Sequence, residues 1–212
     1  MTAFPIILSA PSGGGKTTIA KAILASRKDI GYSVSCTTRQ PRPGEIQGKD
    51  YYFITRTEFL TKRERGEFAE SAEVHGNLYG TLRSEVLRVL ELGQHVLMDI
   101  DVQGAVQFTR VFPQAVTIFI LPPTAEVLLE RLRKRQTESA QQLADRLQSA
   151  LQELQSVDEY EYVVVNDNLE QAIKRITSIV DAEVSSRERV VGLRTQVALL
   201  IEQLEREIDK HQ

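Results

Sequence analysis

The chain has 212 residues, 42% hydrophobic and 26% charged, with 26 Lys and Arg against 29 Asp and Glu for a formal charge of −3. That is enough apolar side chain for a core, which excludes wholesale disorder, and the length fits one domain or one domain with a small insert. The near-neutral balance excludes a global pull toward nucleic acid or a membrane surface, so any anion must be held by a local cluster of positive charge. A single cysteine, Cys36, excludes an intrachain disulfide and a cysteine-rich metal site, and His75, His95 and His211 are too scattered for zinc. No apolar run approaches the roughly 20 residues that span a bilayer, and Met-Thr-Ala-Phe-Pro lacks the basic start of a secretory signal, so the expectation is a cytoplasmic protein.

In chain order, residues 4–10 form a nearly continuous apolar run that reads as a strand buried on both faces. A helical segment, 17–26, follows it, and 32–36 is a weaker strand candidate. Residues 37–92 break the rhythm. They open with Pro41, Pro43, Gly44 and Gly48, continue through 51–54 and an alternating stretch at 68–74, and close with a helix over 82–92 that ends at Gly93. This stretch reads as a small α+β insert. Strand–helix alternation then resumes: a strand at 96–100 with a helix at 103–111, a strand at 116–121 with a helix at 125–135, and a strand at 162–165 with a helix at 169–189. The pattern predicts an α/β domain with a parallel sheet and right-handed crossovers. The polar, helical segment 138–155 suits a mobile cover. The tail 195–212 carries Val197, Leu200, Ile201, Leu204 and Ile208 on one helical stripe, to be buried against the parent core or against a partner helix in a homodimer.

The first strand runs into Ala10-Pro11-Ser12-Gly13-Gly14-Gly15-Lys16-Thr17-Thr18. The phosphate-loop pattern is Gly, four residues, Gly-Lys-Ser/Thr between a strand and a helix. Here Gly15, Lys16 and Thr17 match, and Ala10 stands where the first Gly is usual. The glycines let successive N–H groups curl toward phosphate oxygens, and the helix start adds its partial positive charge. Lys16 suits the outer phosphates and the Thr17 hydroxyl suits Mg²⁺. The alternative, a glycine-rich turn with a surface lysine, does not account for the strand before it and the Gly-Lys-Thr ending. A second basic cluster, Thr37-Thr38-Arg39-Gln40-Pro41-Arg42-Pro43-Gly44-Glu45, sets two arginine forks three residues apart on a proline-stiffened loop, a geometry suited to phosphate.

With Gly76-Asn77-Leu78-Tyr79-Gly80-Thr81, Met98-Asp99-Ile100-Asp101-Val102-Gln103-Gly104 and Val165-Asn166-Asp167, the chain resembles the guanylate kinases from Ile6 to about Val180. The resemblance implies a P-loop NTPase-type core over 1–36 and 93–212, with a parallel sheet flanked by helices, a GMP-binding insert over 37–92 and a helical lid at about 131–150. It implies transfer of phosphate from MgATP to GMP, with ATP and GMP as small-molecule partners and Mg²⁺ as cofactor. Pro11 to Thr18, Arg131, Arg135, Asn166 and Asp167 match the family's ATP-binding positions. Arg39, Arg42, Tyr51 and Tyr79 match those that hold the GMP phosphate, and Ser35, Glu70, Thr81 and Asp101 those that read the guanine. Thr17 and Asp99 match the metal side. Lys16, Arg39, Arg135 and Arg146 match the charges that surround the transferring group. Gln136 departs from the family's frequent Gly after the lid arginine, and Cys36 occupies a slot without an assigned role. Two other functions remain open at this point: a P-loop kinase with another acceptor, and a noncatalytic interaction domain of the same fold.

Overall fold

A computed structural model describes residues 2–74, 76–133 and 140–211, so Arg135, Gln136 and His75 lie outside the described residues. The chain divides into two compact units, residues 3–176 and residues 1–2 with 177–212. In chain order the elements are β1 (Pro5–Ser9), α1 (Lys16–Ser26), β2 (Ile30–Tyr32), β3 (Cys36–Thr37), β4 (Tyr52–Phe53), α2 (Arg56–Glu64), β5 (Phe68–Val74), β6 (Asn77–Leu82), α3 (Arg83–Glu91), β7 (His95–Asp99), α4 (Val102–Val111), β8 (Val116–Leu121), α5 (Ala125–Arg133), α6 (Ala140–Gln155), β9 (Tyr162–Val165), α7 (Leu169–Val184) and α8 (Leu193–Asp209).

Five strands form a parallel sheet in the order β2-β7-β1-β8-β9. Ile6 pairs with Leu97 on one side and Val116 on the other, and Phe119 pairs with Val163. β1 is buried along its whole length and β8 nearly so, which is why their sequences are continuous apolar runs rather than alternating ones. The edge strand β9 is the exception, with Val163 48% exposed and Val164 buried. Placing β1 at the centre puts its C-terminal turn between those of β7 and β8, the place where open parallel sheets bind ligands.

The expected strand over 32–36 is split. Ile30–Tyr32 pairs with β7 in the parallel sheet, whereas Cys36 pairs with Tyr52 and Gly80 in a second sheet, order β4-β3-β6-β5. Cys36 therefore belongs to the insert, buried with Phe59, Phe68 and Leu78, and burial pushes its thiol up to about 12, which makes it a packing residue. Helix α2 was not anticipated, although Thr55 and Glu58 form a capping box in which each side chain accepts the other's backbone N–H. The alternating 68–74 segment was expected to be half-exposed, yet Phe68, Ala69 and Glu70 are all buried. The cause is α4, whose Gln107 amide exchanges two 3.1 Å hydrogen bonds with the Ser71 backbone and covers the other face of β5.

In the second unit, α8 follows Gly192, whose φ of 72° is the left-handed turn that glycine supplies at least cost. None of the residues of α8 is buried, and its stripe of Val197, Leu200, Ile201, Leu204 and Ile208 is 43–65% exposed.

Candidate active site

The turn after β1 wraps tightly. Gly13 and Gly15 have φ of 84° and 94°, values an L side chain resists. Gly14 is glycine for space: a Cβ there would meet the Ala10 Cβ at 2.8 Å and the Pro11 carbonyl at 2.9 Å. The departure at Ala10 is accommodated because its methyl group is buried against a residue that has none. The Gly14 N–H donates back to Pro11 at 2.7 Å, and the Gly14 carbonyl accepts from Asn166 Nδ2 at 2.9 Å and from the Arg131 guanidinium at 3.4 Å. Arg131 also donates to the Asn166 carbonyl at 3.4 Å. The first N–H groups of α1 lack intrahelical acceptors, as at any helix start, and that is the arrangement that holds phosphate at a helix N-terminus.

Lys16 Nζ donates to the Ile100 carbonyl at 3.0 Å, which stations the ammonium at the C-terminal end of β7. The Thr17 hydroxyl donates to Asp99 Oδ2 at 2.9 Å. A hydroxyl that gives its proton to a carboxylate presents its lone pairs elsewhere, and this all-oxygen pair suits a hard cation that keeps several waters. Among the described residues no cluster of three or more His, Cys, Asp or Glu forms a ready-made metal cage, so the remaining ligands of such a cation would be phosphate oxygens and waters.

Opposite the loop lies a buried polar relay. Glu70 is 6% exposed, and its Oε1 accepts from the Thr81 hydroxyl at 2.6 Å. The Ser35 and Thr81 hydroxyls are 3.2 Å apart. Burial pushes the Glu70 carboxyl up to about 7, against the Thr81 hydrogen bond, with the neighbouring Asp101 charge adding to the rise. Gly104 is the residue that lets α4 pass: a Cβ there would lie 2.9 Å from Glu70 Oε2. Asp101 caps the same helix, accepting the Gly104 N–H at 2.8 Å.

One cavity of about 740 Å³ joins the two halves. Its walls include Pro11 to Thr18, Ser35, Tyr51, Glu70, Tyr79, Asp99, Asp101, Arg131, Asn166 and Asp167, all anticipated. Thr81 stands behind Glu70. Arg39 and Arg42 do not line the cavity. Arg39 lies 5.5 Å from the Tyr51 ring centroid, and its guanidinium is engaged by Glu45 at 2.8 Å and 3.0 Å and by the Gln40 carbonyl at 2.7 Å. Glu45 also accepts the Arg42 N–H at 2.7 Å, and the Arg39 pairing holds its carboxyl below the usual range. Arg146 is buried beneath the loop, donating to Ser12 Oγ at 3.3 Å and to the Leu132 carbonyl at 3.4 Å. The expected role of Arg135 falls outside the described residues.

Three residues of the site had no role in the sequence reading. Glu153, two helical turns beyond Arg146 on α6, accepts the Ser12 N–H at 2.8 Å, so α6 grips the loop from two sides. Glu45 braces both phosphate-suited arginines. Tyr32 donates its hydroxyl to Asp99 Oδ1 at 3.0 Å. The i, i+7 spacing of Arg146 and Glu153 was visible as one helix face, but nothing local shows what that face meets.

A glycine-rich loop between a buried strand and a helix, closed by Lys16 and Thr17 with Asp99 alongside, defines a nucleotide-phosphate-binding protein of the P-loop class. Comparison with known proteins narrows the class. Residues 2–183 match the family described as guanylate kinase. The guanylate kinase of Thermotoga maritima is 49% identical over 177 residues, covering 84% of this chain and 86% of that protein, and that of Nitrosospira multiformis is 46% identical with 84% of each covered. The crystal structure of the guanylate kinase from Anaplasma phagocytophilum superposes with a TM-score of 0.75 at 38% identity, covering 92% of this chain and 93% of that one. The chain belongs to the guanylate kinase family.

The titration of Glu70 has a measurable consequence. Its carboxyl is at about 7 in the folded chain against 4.5 when exposed. Between these values the folded state holds more protons, so stability falls as pH rises, and the full cost is present above pH 7. Glu70→Gln should therefore raise the Tm of the ligand-free protein at pH 8, by up to about 3 kcal/mol of stability, with the gain shrinking toward pH 4.5. Thermal denaturation across this range checks it, and a pH-independent difference would assign Glu70 an ordinary titration.

Proposed function

We propose that this chain carries out its family's reaction, transfer of the γ-phosphoryl group of MgATP to GMP to give ADP and GDP. The observation that carries the reading is a cavity with a phosphate loop at one end and a buried carboxylate–hydroxyl relay at the other. Guanine presents N1–H and its 2-amino group as adjacent donors, and an ionised carboxylate accepts both. Glu70 is assigned to them, with Ser35 and Thr81 near O6 and Asp101 near the amino group. Adenine has an acceptor at N1 and no such amine, so it would leave buried polar groups unpaired in the same pose.

Arg39, Arg42, Tyr51 and Tyr79 are assigned to the acceptor phosphate. Arg39 retains donors beyond those given to Glu45 and Gln40. Two phosphates a few ångströms apart repel by several kcal/mol even at an effective dielectric near 20, and these arginines offset that cost. Lys16 is assigned to the outer donor phosphates, Arg131 to the donor side, and Asn166 and Asp167 to the adenine end. Thr17 and Asp99 would hold magnesium, which when bound neutralises charge on the phosphates. No general base is required, because the attacking atom is already an anionic phosphate oxygen. Arg146 can reach phosphate only if α6 shifts, the lid motion that the resemblance implies for Arg135 as well. The intact Lys16–Thr17–Asp99 set disfavours a noncatalytic interaction domain, and the cytoplasm, where both nucleotides are available, is the compartment we assign.

The α8 stripe is assigned to a second copy. An antiparallel pair would bury the two stripes against each other with opposed helix dipoles side by side. Sedimentation should show a dimer that Leu204→Glu converts to monomer without loss of helix content, and a monomeric parent would remove the assignment.

For the reaction, ADP release should be rapid with GMP and near background with AMP, CMP or UMP. Lys16→Met should abolish transfer and leave GMP affinity within about twofold, because it removes a charge at the donor end alone. Equal loss of GMP affinity would show that the two ends are not separate sites. Glu70→Gln should lower kcat/KM for GMP at least tenfold, ~1.4 kcal/mol, with KM for ATP unchanged. A variant that handles GMP as the parent does would take Glu70 out of the guanine site.

A further inference from the structure

We propose that Tyr32 is a positioning residue for the metal-side carboxylate: its hydroxyl, donating to Asp99 Oδ1, fixes the rotamer in which Oδ2 receives the Thr17 proton. The proposal rests on the reading of Thr17 and Asp99 as the magnesium pair. Strand register produces the contact. Tyr32 pairs with Leu97, so Asp99 lies two residues further along β7 and on the same face, since side chains alternate along a strand. Two residues at about 3.3 Å each leave about 6.6 Å to cross, a gap that a tyrosine side chain leaning along the strand direction spans. The hydroxyl arrives at 3.0 Å from Oδ1 while Thr17 Oγ1 stands 2.9 Å from Oδ2. Both oxygens of Asp99 are thus claimed, one by a strand residue and one by the first turn of α1.

Each grip does a separate task. Thr17 must give its proton to Asp99 if its lone pairs are to face a cation. Asp99 must present Oδ2 for that proton to have a fixed acceptor. A carboxylate held at one oxygen alone can rotate about its Cβ–Cγ bond, and Lys16, stationed on the Ile100 carbonyl one residue along, is a competing attraction for it. Tyr32 removes that freedom. The Tyr32 hydroxyl has one proton to give and the Asp99 carboxylate can only accept, so the direction of the contact is fixed. Tyr32 is also part of the cavity wall, so the contact lies beside the reacting phosphates.

The test is Tyr32→Phe, which deletes the hydroxyl and keeps the ring. ADP affinity is measured by calorimetry in excess EDTA and again across a Mg²⁺ titration, alongside GMP affinity and Tm. In the parent, Mg²⁺ should tighten ADP binding; no tightening would overturn the assignment of Thr17 and Asp99, and the proposal with it. Given a parent response, Tyr32→Phe should leave metal-free ADP affinity and GMP affinity within about twofold. It should weaken the Mg²⁺-dependent gain by about three- to tenfold, and kcat should fall at low Mg²⁺ and recover as Mg²⁺ is raised. In an Asp99→Asn background the same change should add nothing, because the two residues act as one unit. An unaltered Mg²⁺ titration in Tyr32→Phe would overturn the proposal. So would a loss confined to GMP affinity, which would make the hydroxyl a contact of the acceptor.

Discussion

The geometry of the site depends on one constraint: the six-residue turn from Ala10 to Gly15, at the C-terminal end of the central strand, must leave the first N–H groups of α1 unobstructed, and bare backbone does not stay in that shape unaided. Gly13 and Gly15 make the shape possible through positive φ, and Gly14 through the absence of a side chain. Its persistence comes from contacts that arrive from distant parts of the chain. Asn166 and Arg131 hold the Gly14 carbonyl, while Glu153 and Arg146 hold Ser12. The loop is thereby tied to β9, α5 and α6 at once. α6 is thereby coupled directly to the turn after β1, since a shift of this helix would act on Ser12 through Arg146 and Glu153.

The acceptor half is organised by the opposite device, a charge kept where water is not. Glu70 sits under α4, against Gly104 and beside the Thr81 hydroxyl. Burial and the neighbouring Asp101 charge make the ionised form costly in the ligand-free chain, and on the proposed reading the donors of a bound base would offset that cost. Outside the cavity wall, Glu45 pairs with the Arg39 guanidinium and accepts the backbone N–H of Arg42, which fixes the turn that carries both arginines.

The class of fold and the phosphate loop were legible in local signals, whereas most of the rest of the cavity wall was named through the resemblance to the guanylate kinases. Buried parallel strands are continuous apolar runs, a helix start after glycines is an anion site, and arginine forks near prolines are stiff. The departures came where local pattern was overruled by a neighbour. Residues 68–74 alternate like a half-exposed strand, yet α4 covers the second face and buries Glu70. Residues 32–36 read as one strand, yet the hydrogen bonds of Ile30–Tyr32 go to β7 and those of Cys36 go to β4 and β6. The capping box of α2 was present at Thr55 and Glu58 but lay in a stretch rich in turn and strand signals.

By itself, then, the sequence determined which residues could bend, which could be buried and where positive charge was available for phosphate, since these follow from side-chain chemistry and spacing within a few residues. Only the tertiary structure decided which far-separated groups meet: Glu153 and Arg146 with Ser12, Tyr32 with Asp99, Glu70 with Thr81 and Gly104. Such pairings depend on strand order, register and the face a helix turns inward. Those are properties of the packed whole, settled by burying the most apolar surface while leaving the fewest polar groups unpaired.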